Sequence, residues 1–361
     1  MGQAGSQTGL IKLLEEHELV LLDFGQVINK GHYKLSLDYN GAYSHDLNGL
    51  YRIKDGGNYY LYTQLEPIAA RKVLPCFDEP RFKTPFSISV VTPKNLKVIS
   101  NSPENNARHI GSNTIHSFAQ TKALPTYLLA IAIGNFDIVE GPKLGTKKVN
   151  FRGISTKGKG HKLTFAMKHT PAILAKLEDY FGVPYPFAKL DILAVPDFNA
   201  GAMENVGAIT FREWYLLLDK NSSSEQQQKF YEIMAHELAH QWFGNLVTMP
   251  WWDDLWLNEG FATWLSYKIV DQLRPDFKAK DKLLERIQKA MAQDSLGSAR
   301  KIRESISSAH DIHNAFDNIT YGKGAALVNM LESFQGPGTF QKASLLIYKN
   351  LVIKTRVLKI F

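Results

Sequence analysis

The sequence predicts an α+β fold in which a β-sheet unit precedes a mainly α-helical unit. Three observations predict it. Up to about Glu140, apolar residues fall in short runs rich in β-branched and aromatic side chains, separated by Gly, Asn and Pro. Beyond Gly141-Pro142 they recur at helical spacing in longer segments. One of those segments carries His236-Glu237-Leu238-Ala239-His240, a pattern whose chemistry works on a helix.

The first unit is assigned residues 1–140 and the second 141–361. Strands are expected at 19–24, 33–39, 59–62, 86–91, 97–100, 114–118 and 127–133. A Lys/Gly-rich stretch with one strand-like run, 148–155, then leads into helices at 163–181, 226–243, 257–272, 277–292 and 323–334. Two further strands are expected among the helices, at 190–195 and 208–211. Polar residues 225–229 precede the apolar stripe Phe230, Ile233, Met234, Leu238 and Trp242, as a first helical turn should.

The 361 residues are 44% hydrophobic and 21% charged, which suits a soluble globular chain long enough for two cores. Net charge is +7, but Lys and Arg are scattered apart from clusters at 143–162 and 278–289. Such clusters are solvated faces, so no nucleic-acid partner is expected. The single cysteine, Cys76, excludes an intramolecular disulfide. No apolar run reaches the roughly eighteen residues of a membrane-spanning helix, and the N-terminus lacks a signal peptide's apolar core. Met1-Gly2-Gln3-Ala4-Gly5-Ser6 matches a loose myristoylation pattern and is read as coincidence. A soluble chain is expected, with the cytoplasm favoured; no pattern sets an oligomeric state.

Two histidines four apart on a helix differ by about 400° of rotation, so their rings project from one face and can grip one ion. Glu259 lies in an apolar helical run, where an isolated carboxylate would cost several kcal/mol, on the order of the usual burial penalty, unless paired or bound to a metal. His236, His240 and Glu259 are thus the expected ligands of one Zn2+ per chain, and three such ligands leave the fourth position open for a reacting water. Glu237, beside the first ligand, is the expected general base.

Gly201-Ala202-Met203-Glu204-Asn205, then His236-Glu237-x-x-His240, Glu259 and Tyr321-Gly322-Lys323-Gly324, closely resemble the zinc aminopeptidases of the M1 family. Thr63-Gln64-Leu65-Glu66-Pro67, Pro75-Cys76-Phe77-Asp78-Glu79-Pro80 and Tyr185-Pro186-Phe187 extend the resemblance in the same order. It covers roughly residues 18–345. Val206 stands where many animal members carry Trp. Members also carry strands before and helices after the matching stretch, so the resemblance implies a chain shortened at both ends.

The resemblance implies a saddle-like β domain followed by a thermolysin-like catalytic domain. It also implies hydrolysis of the N-terminal peptide bond of peptides with a free N-terminus. Tyr321 would stabilise the oxyanion, Glu204 and Glu66 would hold the substrate's α-ammonium, and Gly201, Ala202, Met203 and Asn205 would line the substrate. Ala200 would leave the first subsite roomy. Two other readings stay open: a catalytically inactive fragment, and the lipid-epoxide hydrolysis of a family branch that carries Gly where Ala202 stands.

Overall fold

The computed structural model describes residues 7–352, and the described chain forms two compact units divided after Asn40. In the first, strands β1 (Leu10–Leu14) and β2 (Leu19–Asp23) make an antiparallel hairpin around a left-handed Glu18. The strand expected at 33–39 does not form: these residues carry no regular secondary structure and are mostly exposed. The Met1–Ser6 pattern and residues 353–361 lie outside the described residues.

The second unit opens with two antiparallel sheets. One orders β3 (Gly49–Asp55), β4 (Asn58–Gln64), β9 (Ile131–Gly134) and β6 (Lys97–Ser100). The other orders β5 (Ser89–Pro93), β8 (Asn113–Phe118) and β7 (Glu104–Ile110). β4 ends on Gln64, so the chain that leaves this sheet carries Glu66. The expected run 127–133 is split: Thr126–Leu128 is a 3-10 turn, and the ladder begins at Ile131.

A five-stranded mixed sheet follows, ordered β10 (Phe136–Glu140), β11 (Asn150–Thr156), β12 (Lys189–Val195), β14 (Ala208–Arg212) and β13 (Ala202–Met203). β11, β12 and β14 are parallel, and α1 (Thr164–Phe181) makes the crossover from β11 to β12. All seven residues of β12 are buried, as a central strand covered on both faces requires. Two of those seven are Lys189 and Asp191, paired at 2.6 Å, with Arg152 adding 2.7 and 2.8 Å contacts to Asp191. Lys189 also donates to the Gly207 carbonyl at 2.6 Å and so ties β12 to the turn before β14.

After the short α2 (Glu213–Leu216), α3 (Ser224–His240) and α4 (Leu255–Leu273) pack together. α5 (Ala279–Asp294), α6 (Ala309–Asn314), α7 (Gly324–Gln335) and α8 (Pro337–Val352) complete the element order. The α3 N-terminus is a capping box: the Ser223 hydroxyl accepts from the Gln226 amide, and the Gln226 side chain accepts from the Ser223 amide. Trp242 stacks on Phe181 of α1 at 4.9 Å and Phe243 on Phe261 of α4 at 4.2 Å, fixing the chain just beyond α3. No helix among the described residues is long and apolar enough to cross a membrane.

Candidate active site

α3 delivers His236, Glu237 and His240, and α4 delivers Glu259 opposite them. His236 Nε2 lies 3.0 Å from His240 Nε2 and 3.1 Å from Glu259 Oε2; His240 Nε2 is 3.5 Å from the same oxygen. Tetrahedral ligands at the usual zinc bond lengths of about 2.0–2.1 Å stand roughly 3.3 Å apart, so these spacings fit a shared ion. His240 Nδ1 donates to the Phe243 carbonyl at 3.1 Å, which fixes the ring with Nε2 toward the other two groups. The turn that brings Phe243 there needs Gly244 at φ +127°, where a Cβ would sit 2.9 Å from His240 Nδ1.

A cavity of about 410 Å³ opens over these groups and is lined by Glu66, Ala202, Glu204, His236, Glu237, Glu259 and Tyr321. Its wall also includes Asn48, Gln64, Asn199, Ala200, His313 and Phe316. His240 lies behind His236, and Gly201, Met203 and Asn205 do not reach the wall. The Met203 and Asn205 side chains are buried, and the Gly201 carbonyl accepts from the Arg212 amide. The backbone of β13 pairs with β14 on one side and forms the sheet's edge on the other. Glu204 follows β13 directly; its carbonyl accepts from Gln241 at 2.9 Å and Asn245 at 2.8 Å, which anchors that segment to the chain beyond α3.

The charge balance of the cavity is acidic. Burial, and then the neighbouring Glu204 carboxylate, push the Glu66 and Glu237 carboxyls well above the usual range; burial raises Glu204 too. Burial lowers His236 to about 4. Burial also works against a charged His240, but Glu204 and Glu259 outweigh it and hold its imidazole at about 10. Glu259 is pulled far below the carboxylate range by the two imidazoles despite its burial. Glu66 Oε1, Glu204 Oε1, Glu237 Oε2 and Gln64 Oε1 are buried acceptors with no hydrogen-bond partner among the described residues. Carboxylates of Glu66, Glu204 and Glu259 also converge within 4.8 Å. The site therefore fits cations in two places, one among His236, His240 and Glu259 and one at the Glu66–Glu204 end.

Tyr321 stacks over His236, centroids 6.2 Å apart and planes 28° apart. It sits in a π-helical turn, Ile319–Lys323, immediately before α7. Burial, then the Glu259 charge, raise its phenol well above the usual value, so it remains a proton-bearing donor. The turn is wedged closely: a Cβ on Gly322 would meet the Ala290 Cβ of α5 at 2.8 Å, and one on Gly260 would meet Gly324 backbone at 2.7 Å. Trp252, in the segment joining α3 to α4, packs on Tyr127 at 5.3 Å and is buried, which makes it core and not cavity wall.

An α+β fold with a two-histidine, one-glutamate cluster on facing helices defines a metallopeptidase-like protein, and comparison with known proteins agrees. Residues 165–352 match the peptidase family M1 domain and residues 3–128 the peptidase M1 N-terminal domain. The chain belongs to peptidase family M1, a family of metallopeptidases, which implies a metal ion at this site. It is 40% identical over 345 residues to "Aminopeptidase M1" of Arabidopsis thaliana, covering 94% of this chain and 39% of that one. "Aminopeptidase M1-D" of Oryza sativa subsp. japonica is 40% identical over 343 residues, 92% of this chain and 38% of its own length. "Probable aminopeptidase 1" of Sulfurisphaera tokodaii is 40% identical over 318 residues, 88% and 40%. The chain thus spans about two fifths of the length of the curated relatives it matches.

Proposed function

We propose that this chain is a zinc-dependent aminopeptidase that hydrolyses the N-terminal bond of peptides with a free α-amine. The observation that carries the reading is a single cavity in which a three-ligand cluster faces a general base at one end and unpartnered buried carboxylate oxygens at the other. The proposed zinc ligands are His236, His240 and Glu259. Zinc bound there supplies Lewis acidity, lowering the pKa of water and polarising the scissile carbonyl. Glu237 takes the proton of the attacking water and hands it to the leaving amine. The Tyr321 hydroxyl donates to the oxyanion that develops on the carbonyl. Glu66 and Glu204 accept from the substrate's α-ammonium, which fixes the distance from chain end to scissile bond. In the proposed substrate-binding segment, Ala202 lines the cavity and the Ala202–Met203 backbone offers the open edge of β13, where an extended peptide adds as a further strand, while Gly201 and Asn205 hold that edge in place through their carbonyls.

The proposed division into a β-rich unit of residues 1–140 and a metallopeptidase unit of 141–361 is supported by family matches that end at 128 and begin at 165. Peptides are the proposed partners, and the cytoplasm the favoured compartment, which fractionation of producing cells decides. Turnover of an aminoacyl fluorogenic amide by the full chain, lost on chelation and restored by zinc, tests the whole reading. Absence of zinc from folded, reconstituted protein overturns the metal assignment. The second reading, a catalytically inactive fragment that keeps the residues of the site without a stable fold, is favoured by Met330, Leu331 and Phe334, apolar and exposed on α7. Purified chain with neither bound zinc nor a cooperative melt decides for it. Lipid-epoxide hydrolysis ranks below both, since Ala202 fills the position where that branch has Gly.

A further inference from the structure

We propose that Arg300 is a positioning residue that sets the place of the Tyr321 hydroxyl by holding Asp317, an inference that rests on the aminopeptidase reading above. Tyr321 belongs to a single π-helical turn, a rare backbone form wider than the α-helix and frequent at functional positions. Asp317 organises that turn. Its Oδ1 accepts from the amides of Ile319 at 3.0 Å and Thr320 at 3.1 Å, and its carbonyl accepts from the amide of Tyr321 itself at 3.1 Å. The carboxylate is held in turn by Arg300, in the loop between α5 and α6: Nε donates to Oδ2 at 3.2 Å and Nη2 to Oδ1 at 2.6 Å.

The grip extends to both sides of Asp317. Arg300 Nη2 lies 3.0 Å from the Ala315 carbonyl and 2.6 Å from the Thr320 hydroxyl oxygen, and the Gln293 amide of α5 adds a 2.9 Å bond to Asp317 Oδ2. The Arg300 and Asp317 side chains are only 19% and 23% exposed, so a planar fork with two parallel bonds outperforms a point charge here. Neither residue lines the cavity; Phe316 and Tyr321 do. Their effect on the reaction therefore passes through the turn. Gly322 already abuts α5, so the clamp and this contact hold the turn from two directions. A misplacement of about 1 Å in a positioned group costs on the order of a hundredfold in rate, which makes the clamp a kinetic device.

The experiment combines steady-state kinetics on an aminoacyl amide with hydrogen exchange of residues 316–323, using the full chain loaded with zinc. Arg300→Met should lower kcat at least about tenfold, leave KM within about twofold and retain the metal. In a Tyr321→Phe background the same change should cost less than about twofold, because the hydroxyl it positions is gone. Exchange of the Ile319, Thr320 and Tyr321 amides should quicken, and Arg300→Lys should restore only part of the protection. Equal losses in both backgrounds, or unchanged exchange, overturn the proposal. If Arg300→Met fails to fold, Arg300→Lys and Asp317→Asn carry the same comparison. If the unaltered chain shows no turnover, the aminopeptidase reading falls, while the exchange measurement still decides whether Arg300 holds the turn.

Discussion

The two ends of the cavity are built on opposite plans. At the α3–α4 end the three proposed ligands satisfy one another: His240 donates backward to Phe243, both imidazoles face Glu259, and Glu259 is held ionised by them. At the Glu66–Glu204 end the acceptors face each other with no donor between them, and burial drives their carboxyls up. The first end closes on itself within two neighbouring helices. The second draws on a segment leaving the β3–β4 sheet and on the residue after β13. The difference teaches that a protein can leave acidic groups without a donor in its interior when a ligand is to supply one.

The sharpest break comes from Glu237→Gln, which preserves every proposed ligand and removes only the proposed base. Turnover should fall on the order of a thousandfold with zinc content unchanged, read by metal analysis beside single-turnover rates. Retained activity would take Glu237 out of the mechanism. Tyr321→Phe follows, with kcat lowered on the order of a hundredfold and KM nearly constant; a loss expressed in KM alone would make Tyr321 a binding residue.

The acceptor end is tested by Glu204→Ala, which should cost about thirtyfold in kcat/KM for free-amine substrates and erase most discrimination against N-acetylated ones. If the unaltered protein cuts acetylated and free peptides alike, that end has another purpose. The smallest effect is on stability. Asp191 is held below the ordinary carboxylate range: burial opposes its charge, but Lys189 and Arg152 outweigh it. A depressed carboxyl stabilises the fold above its unfolded pKa of about 4, and the contribution vanishes as pH falls through the folded value. Arg152→Met, with Lys189 still paired to Asp191 and Arg152 partly exposed, should cost about 1–2 kcal/mol at pH 7. Denaturant melts should show that gap narrowing in acid; a gap that widens there would reverse the argument.

Legibility in the sequence followed the length of the pattern. α3 and α4 could be read because their stripes run over four or more turns, and the ligand spacing belongs to the helix itself. β7 could not, since all seven of its residues are exposed and only its ladder to β8 makes it a strand. β3 shows the right alternation, Tyr51 and Ile53 inward and Arg52 and Lys54 outward, but for only two cycles between glycine and aspartate. Tyr33 to Tyr39 alternates as well and forms no strand, because pairing needs a neighbour that periodicity does not specify. In the cavity, Glu204 and Tyr321 came from motifs. Asn48, Asn199 and His313 carried no local signal, being ordinary polar residues until the fold brings them to the cavity's wall. Asp317 was visible only as a polar residue near a helix start, and its partner Arg300 lies seventeen residues away in a loop.

Gly260 and Gly324 meet with almost no space between their backbones, one residue beyond Glu259 in α4 and three beyond Tyr321 at the head of α7. No rotamer can cushion such a contact, since neither partner has a side chain to turn. The separation between the carboxylate of Glu259 and the phenol of Tyr321 is thus governed by main-chain stiffness, like two jaws cut from one piece of metal, and an alanine at either glycine would spread the jaws without altering any side chain proposed to do chemistry.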